Sequence, residues 1–406
     1  MTVIVQKFGG TSVRDTNTRQ HAIKHVIDAV SQGHQVIVVV SAMGRKGEPY
    51  ATDSLLQLVN YPEHKVTSRE LDSLLSCGEI ISSVVFANEL IQQKVKATAI
   101  TGAHAGIRTT SEFTDARIDK ISTDLLHSLF KSNQVIVVAG FQGQDRFGHI
   151  TTLGRGGSDT SAVALGAAMN AEFVDIFTDV DGIKTADPVL VQHAETLKAM
   201  TYTEIVHLAY QGSKVIHPRA VEIAMQEKIP IRVRSTYTED KGTLVTSKVE
   251  NTIDQMIQER LVTGIAQVSG LIQVNIHAND SLIELHDQVF KHLADAKISV
   301  DFFNISSQGI TFTIPKDTWT LTRSIVESLK LKYTLEDDCA KVSTVGAGIQ
   351  GVPGVASRIV SALAKHNIQI LQSADSHTTI WVLIKEKDLK TAVNALHDSF
   401  ISKKGV

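Results

Sequence analysis

Apolar positions in the first 245 residues fall into two alternating patterns. Compact β-rich runs stand at VIVQKF (3–8), QVIVVVSAM (35–43), VKATAI (95–100), QVIVVAGF (134–141), FVDIFTDVDG (173–182) and IPIRVRST (229–236). Unbroken apolar runs of this length read as strands covered on both faces, the habit of a parallel sheet. Between them the spacing turns helical: Ala22, Ile23, Val26, Ile27 and Val30 predict a helix from about Asn17 to Ser31, and another follows through Glu70–Leu90. Strands alternating with helices predict an α/β fold with a mostly parallel sheet between helical layers. Ligands in such sheets sit at the carboxyl ends of the strands, where this chain places its glycine-rich turns.

The pattern changes near Gly242-Thr243-Leu244-Val245, and a polar connector follows. Beyond it, LADAKISVDFFNIS and LAKHNIQILQSADS align at a spacing of 70 residues. Each stretch predicts a helix end, a turn and two strands before a last helix, a repeated ferredoxin-like βαββαβ unit. The expected organisation is a catalytic domain at 1–245, a linker at 246–262 and two small domains at 263–337 and 338–406. A paired small repeat suggests regulation, with a dimerisation module as the alternative.

Composition narrows the class. Hydrophobic residues make up 43% and charged residues 20%, which indicates a globular chain. Lys+Arg is 40 against Asp+Glu 43, so no bulk positive field draws in phosphates, and nucleic acid and membrane surfaces are disfavoured as partners. Runs such as Val36–Val40 are too short to span a bilayer, and MTVIVQKFGG lacks a signal-peptide layout. The two cysteines, Cys77 and Cys339, read as reduced thiols, which points to a cytoplasmic enzyme.

Two glycine loops carry the chemistry. Lys7-Phe8-Gly9-Gly10-Thr11-Ser12 turns a strand into a helix, so backbone N–H groups and a lysine can face an anion. It is not a Walker A loop, because its lysine precedes the glycines. Leu153-Gly154-Arg155-Gly156-Gly157-Ser158-Asp159 precedes a small-residue helix and offers a guanidinium fork for carboxylate or phosphate. Asp159 alone would read as an N-cap, but two such loops favour a phosphoryl-transfer cradle. Thr178-Asp179-Val180-Asp181-Gly182 could hold a nucleotide or Mg²⁺, or close a turn; it lacks the remaining ligands of a calcium loop. Glu79 alone would read as a solvated carboxylate, and Cys77 as a small buried hydrophobe. Lys214 is a second candidate phosphate-facing lysine, and His217 reads as structural. None of the 16 histidines falls in a recognised metal spacing. Gly346-Ala347-Gly348-Ile349-Gln350-Gly351 matches a dinucleotide fingerprint, yet only 55 residues follow it and the next strand turns back as a hairpin, so that reading is set aside.

KFGGTSV at 7–13, SAMG at 41–44, AGFQG at 139–143, TTLGRGGSDTSA at 151–162 and RVRSTY at 232–237 together resemble the aspartokinases of the amino-acid kinase family, over nearly the whole chain. The tail resembles a pair of ACT domains, and ILQSADSHTTIWVL is similar to the diaminopimelate-sensitive branch of that family. The resemblance implies transfer of a phosphoryl group from MgATP to the β-carboxylate of L-aspartate, the step that feeds lysine, diaminopimelate, threonine and methionine biosynthesis. A carboxylate with an ordinary pKa of about 3.9 is ionised at neutral pH, so no general base is required. By the family pattern Lys7 contacts the transferring phosphoryl group, Gly9 and Gly10 beside Phe8 donate backbone N–H groups, and Asp159 organises the lysines. Arg155 would clamp the substrate α-carboxylate and Glu79 its ammonium, with Thr52, Gly156, Gly157 and Ser158 completing that site. Thr178, Asp179, Lys184 and Lys214 would face ATP.

Two departures stand out. Lys184 replaces the family's usual Tyr, and Val189 replaces an Arg after Asp-Pro, so Lys184 is expected to compensate for the missing cation. The resemblance further implies interleaved ACT units, a homodimer or larger assembly, and effector contacts at Gln350, Val352, Gln372, Asp375, His377 and Thr378, with diaminopimelate the expected effector. A non-catalytic amino-acid sensor and another acyl-phosphate kinase are the competing readings.

Overall fold

The computed structural model describes residues 1–213, 215–247, 261–277, 282–346, 349 and 351–402. They form two compact units. The first comprises 1–183, 196–209 and 214–255; the second comprises 184–195, 210–213 and 256–406.

The first unit is built on an eight-stranded sheet. Its order is Ala199–Thr201, Thr243–Thr246, Ile231–Ser235, Val174–Thr178, Val3–Phe8, Gln35–Val40, Val135–Ala139, Ala97–Ile100. Neighbours run parallel except Ile231–Ser235 with Thr243–Thr246. Val36 to Val40 are fully buried, as a strand covered on both faces requires. The chain first builds outward from Val3–Phe8 through Gln35–Val40, then returns to add Val174–Thr178 on its other side. That reversal is a topological switch point, and it opens a crevice at the carboxyl ends of the two strands.

Two helices fix this crevice. Thr16–Ser31 starts with a reciprocal Asp15–Thr18 capping box, and it buries Ala22, Ile23 and Val26 against the Phe8–Phe86–Phe177 aromatic stack. Ser68–Gln92 starts with a Thr67–Glu70 capping box. It is long and apolar enough, by length and composition, to cross a membrane. Its buried stripe is nevertheless polar, with Asp72, Ser76, Glu79 and Ser83 each at most 2% exposed, and Glu89 pairs with Arg19 at 2.6 Å. These partners belong to a core helix of a folded domain. Beside it lies a small sheet of Ile118–Ile121, Ile107–Thr109, Gln142–Gln144 and Ile150–Thr152.

The second unit is a six-stranded antiparallel sheet, ordered Asp301–Ser306, Gly309–Pro315, Gly264–His277, Lys332–Val345, Thr379–Lys385, Gln372–Asp375. Its two central strands are 14 residues each and pair along their length through a bulge at 268–271. Residues 264–268 of the first pair with 341–345 of the second, and 271–277 pair with 332–339. Each long strand therefore passes from one repeat into the other. Helices Leu282–Asp295 and Trp319–Ser328 flank the core around Val274, Val289, Phe312 and Val326, and helices Val355–Ala364 and Leu389–Phe400 that around Val342, Leu363, Ile384 and Leu396. An antiparallel sheet has no strand-to-crossover crevice, so the dinucleotide fingerprint at 346–351 has no Rossmann setting; residues 347, 348 and 350 of it lie outside the described residues.

Candidate functional site

Lys7 is the next-to-last residue of its strand, level with Val39 and Ile176 on the flanking strands. Its Nζ lies 2.7 Å from Asp159 Oδ1, and both side chains are only about one-eighth exposed. Asp159 is not the N-cap that its position in the sequence suggested. Gly156, with φ 69°, caps the helix Gly157–Ala168, and Asp159 stands in the first turn, where the helix dipole favours its charge. Its Oδ2 accepts the backbone N–H of His217 at 3.4 Å. Phe8, Gly9 and Gly10 continue from Lys7, and Gly44 N donates to Gly10 O at 3.0 Å, pinning one glycine turn to the 42–44 loop.

Glu79 is the largest departure from the solvated reading. It is 2% exposed; its Oε1 accepts Ala42 N–H at 3.0 Å, and its Oε2 has no partner. Burial pushes its carboxyl up to about 8. The close approach depends on Gly78: a Cβ there would lie 2.8 Å from Ala42 Cβ and 3.0 Å from Tyr50 O. Cys77 faces outward and is exposed, contrary to its reading as a buried hydrophobe.

Arg155 is exposed at the tip of its loop, Gly157 and Ser158 are buried, and Thr52 opens the helix Thr52–Gln57, half-buried. Thr178 ends the strand beside Lys7, and its hydroxyl donates to Asp179 Oδ1 at 3.2 Å. Asp179 Oδ2 pairs with Arg45 at 3.1 Å, so a cation already stands at this rim. Ser12 and Thr236 hydroxyls meet at 2.7 Å, tying the first glycine turn to the end of a third strand. His217 caps the next helix, a structural place as expected. Lys7, Gly9, Gly10, Thr52, Glu79, Arg155, Asp159, Thr178 and Asp179 all lie in the first unit, where Lys7 meets Asp159 and Thr178 meets Asp179.

Lys214 and Gln350 lie outside the described residues. Lys184 and Val189 fall in 184–195, which belongs to the second unit; Thr185 there meets His397 at 2.9 Å. Of the effector candidates, Gln372 lines a cleft of about 370 Å³ with Asp301, Phe302, Asn304 and Trp381. Its amide is bonded to Gln273 and to Phe302 O, each at 2.7 Å. Val352, Asp375 and His377 are exposed, and Thr378 Oγ1 is buried without a partner. Among the described residues, His193, His397 and Asp398 form the group of potential metal ligands, in the second unit, with His193 already bonded to Asp398 at 2.8 Å.

Sequence reading missed Asp72. It is fully buried and accepts the Thr114 N–H, the Thr152 N–H at 2.8 Å and the Thr152 hydroxyl at 2.6 Å. The available signal was a polar stripe at helical spacing, 72, 76, 79 and 83, running between apolar positions of the same helix.

Comparison with known proteins agrees with this architecture. Residues 2–235 match the amino acid kinase family, and residues 334–398 match an ACT domain. The chain is 55% identical to aspartokinase 1 of Bacillus subtilis, across 98% of this chain and 99% of that protein. It is 39% identical to the aspartokinase of Geobacillus stearothermophilus, across 98% and 97%. The crystal structure of Escherichia coli aspartokinase III in complex with aspartate and ADP superposes with a TM-score of 0.79 at 26% identity, covering 98% of this chain and all of that one. The chain belongs to the aspartokinases, amino-acid kinases with a C-terminal ACT region.

Proposed function

We propose that the chain transfers the γ-phosphoryl group of MgATP to the β-carboxylate of L-aspartate, giving 4-phospho-L-aspartate and ADP, as a cytoplasmic enzyme regulated through its ACT region. The observation that carries the reading is the Lys7–Asp159 pair at the strand switch point, in the same unit as a buried carboxylate, Glu79, with one uncommitted oxygen.

The chemistry needs little beyond placement and charge. The nucleophile is already ionised, so the protein has to bring two anions together and neutralise the charge that spreads over the transferring group. Asp159 holds the Lys7 ammonium in place, and a preorganised cation at this position stabilises the transition state without reorganising during the reaction. Gly9 and Gly10 offer N–H groups to the same phosphate. Glu79 takes the substrate ammonium, Arg155 its α-carboxylate, and Thr52 and Ser158 give hydrogen bonds, so both charged ends are matched. Thr178, Asp179 and Lys214 face the nucleotide. Magnesium enters as part of the MgATP substrate. The exposed Asp179 and the already paired Asp159 fit an ion carried on phosphates better than a cage of protein ligands.

The domains are read as 1–245, 263–337 and 338–406 with a linker at 246–262. The ACT repeats form a homodimer or larger assembly and bind an amino-acid effector, diaminopimelate in this reading, in a low-activity state. The test is acyl-phosphate formation trapped as hydroxamate. Turnover with L-aspartate but not L-glutamate, inhibited by diaminopimelate, is the expected result. Inhibition by lysine or threonine alone would discard the effector, and no turnover from folded, ATP-binding protein would favour a sensor.

A further inference from the structure

Asp72 and Glu79 stand seven residues apart on one helix, two turns on the same face, and both are buried carboxylates. Glu79 reaches the 42–44 loop. Asp72 reaches two other segments at once: its oxygens accept Thr114 N–H at 3.0 and 3.1 Å and the N–H and hydroxyl of Thr152. Thr114 is β-branched with φ 74°, a left-handed conformation that needs outside support, and Asp72 supplies it.

The supported turn bears directly on the Arg155 loop. Ala116 N donates to Thr152 O at 2.9 Å, and Arg219 bridges Leu153 O and Ala116 O at 2.9 and 2.8 Å. A Cβ on Gly154 would lie 2.8 Å from Asp115 Oδ1 and 3.2 Å from Thr114 O, so the turn is packed against the residue before Arg155. Within this network Asp72 is the anionic anchor, and Thr152 carries its bonds to within three residues of Arg155.

We propose that Asp72 is a positioning residue for substrate recognition: it fixes the Arg155 loop relative to Glu79, and so the spacing at which the ammonium and α-carboxylate of one amino acid are gripped. The proposal rests on the reading that Glu79 and Arg155 hold those two groups. Asp72 touches neither substrate nor nucleotide in this account, so its effect belongs in the KM for aspartate and not in that for ATP.

The test compares Asp72→Asn, Thr152→Val and Arg155→Ala by steady-state kinetics and thermal melting. Asp72→Asn turns an acceptor into a donor facing two N–H groups, and it should raise the aspartate KM at least about tenfold with the ATP KM within about twofold. Thr152→Val removes only the hydroxyl bond and should raise the aspartate KM about threefold. A purely structural role would lower the melting temperature while moving both KM values together or neither, and would overturn the proposal. An Arg155→Ala enzyme with unchanged aspartate KM would overturn the underlying reading and the proposal with it. If Arg155→Ala raises that KM while Asp72→Asn and Thr152→Val leave it alone, only the proposal falls. Should Asp72→Asn fail to fold, the Thr152→Val result decides.

Discussion

Both sheets carry an ion pair on their strands, and the first also gathers titratable side chains at one end of them. In the mostly parallel sheet of the first unit, titratable side chains gather at one end of the strands, Lys7 with Asp159 at the carboxyl edge and Glu79 and Asp72 on the helix beside it, while the fully buried Asp175 pairs on the strands themselves with Arg232 at 2.6 Å and Arg234 at 3.4 Å. In the antiparallel sheet of the second unit, the ion pair Lys341–Asp301 stands on the sheet itself, where the two repeats meet. Two pairs of helices pack apolar side chains against that sheet. Parallel strands end together and expose their turns at one edge, which concentrates chemistry there; an antiparallel sheet shares its ends between both edges and favours ligand recognition by cleft and strand edge.

The comparison can be broken at several points. The largest effect is expected at the catalytic edge: Lys7→Met should lower kcat about a thousandfold, checked by hydroxamate trapping, since it removes a preorganised cation from the transition state. A loss below about tenfold would deny Lys7 that role. In the second unit the comparable effect falls on stability. Phe312→Ala empties a fully buried site in the first-repeat core and should cost about 3–5 kcal/mol in denaturant unfolding.

Glu79→Gln should raise the aspartate KM about ten- to a hundredfold, the loss of a charged partner. It also carries a pH signature. Glu79 titrates near 8 in the fold against an ordinary 4.5, so between those values the native state holds a proton that the unfolded chain has released. Stability therefore falls as pH rises through that window, by up to about 1.4 kcal/mol per pH unit, and Glu79→Gln should flatten the slope in melts at several pH values. The smallest effect is expected at Lys184. If Lys184 compensates for Val189, Lys184→Ala should raise the ATP KM about three- to tenfold, and an unchanged value would remove that role.

How much of this was legible follows from what kind of pattern each part leaves. The long strands and the helix Thr16–Ser31 were readable because fully covered strands and one-sided helices leave apolar runs and 3.6-residue spacing. The strands Ile107–Thr109, Gln142–Gln144 and Ala199–Thr201 were not, because three residues are too few to show a period. Lys7 and Asp159 could be named from their glycine loops, but their pairing joins residues 152 positions apart and only the fold reveals it. Glu79 was named through family resemblance while its residue type suggested solvent. Its burial comes from Gly78 and the 42–50 loop, contacts that no local pattern encodes. Asp72 was overlooked because a buried carboxylate that binds backbone N–H groups of distant loops looks, in sequence, like any acid on a helix.

The most direct test of the account is the pH profile of wild-type turnover between about pH 6 and pH 9. The substrate carboxylate needs no base, and Glu79, whose carboxyl burial pushes up to about 8, must lose its proton to receive an ammonium. The account predicts a flat kcat, with a KM for aspartate that falls up to about tenfold per pH unit toward pH 8 and levels above it. A kcat that climbs tenfold per unit at saturating aspartate, with a KM that stays constant, would mean that a protein base takes part in the chemical step and would contradict it.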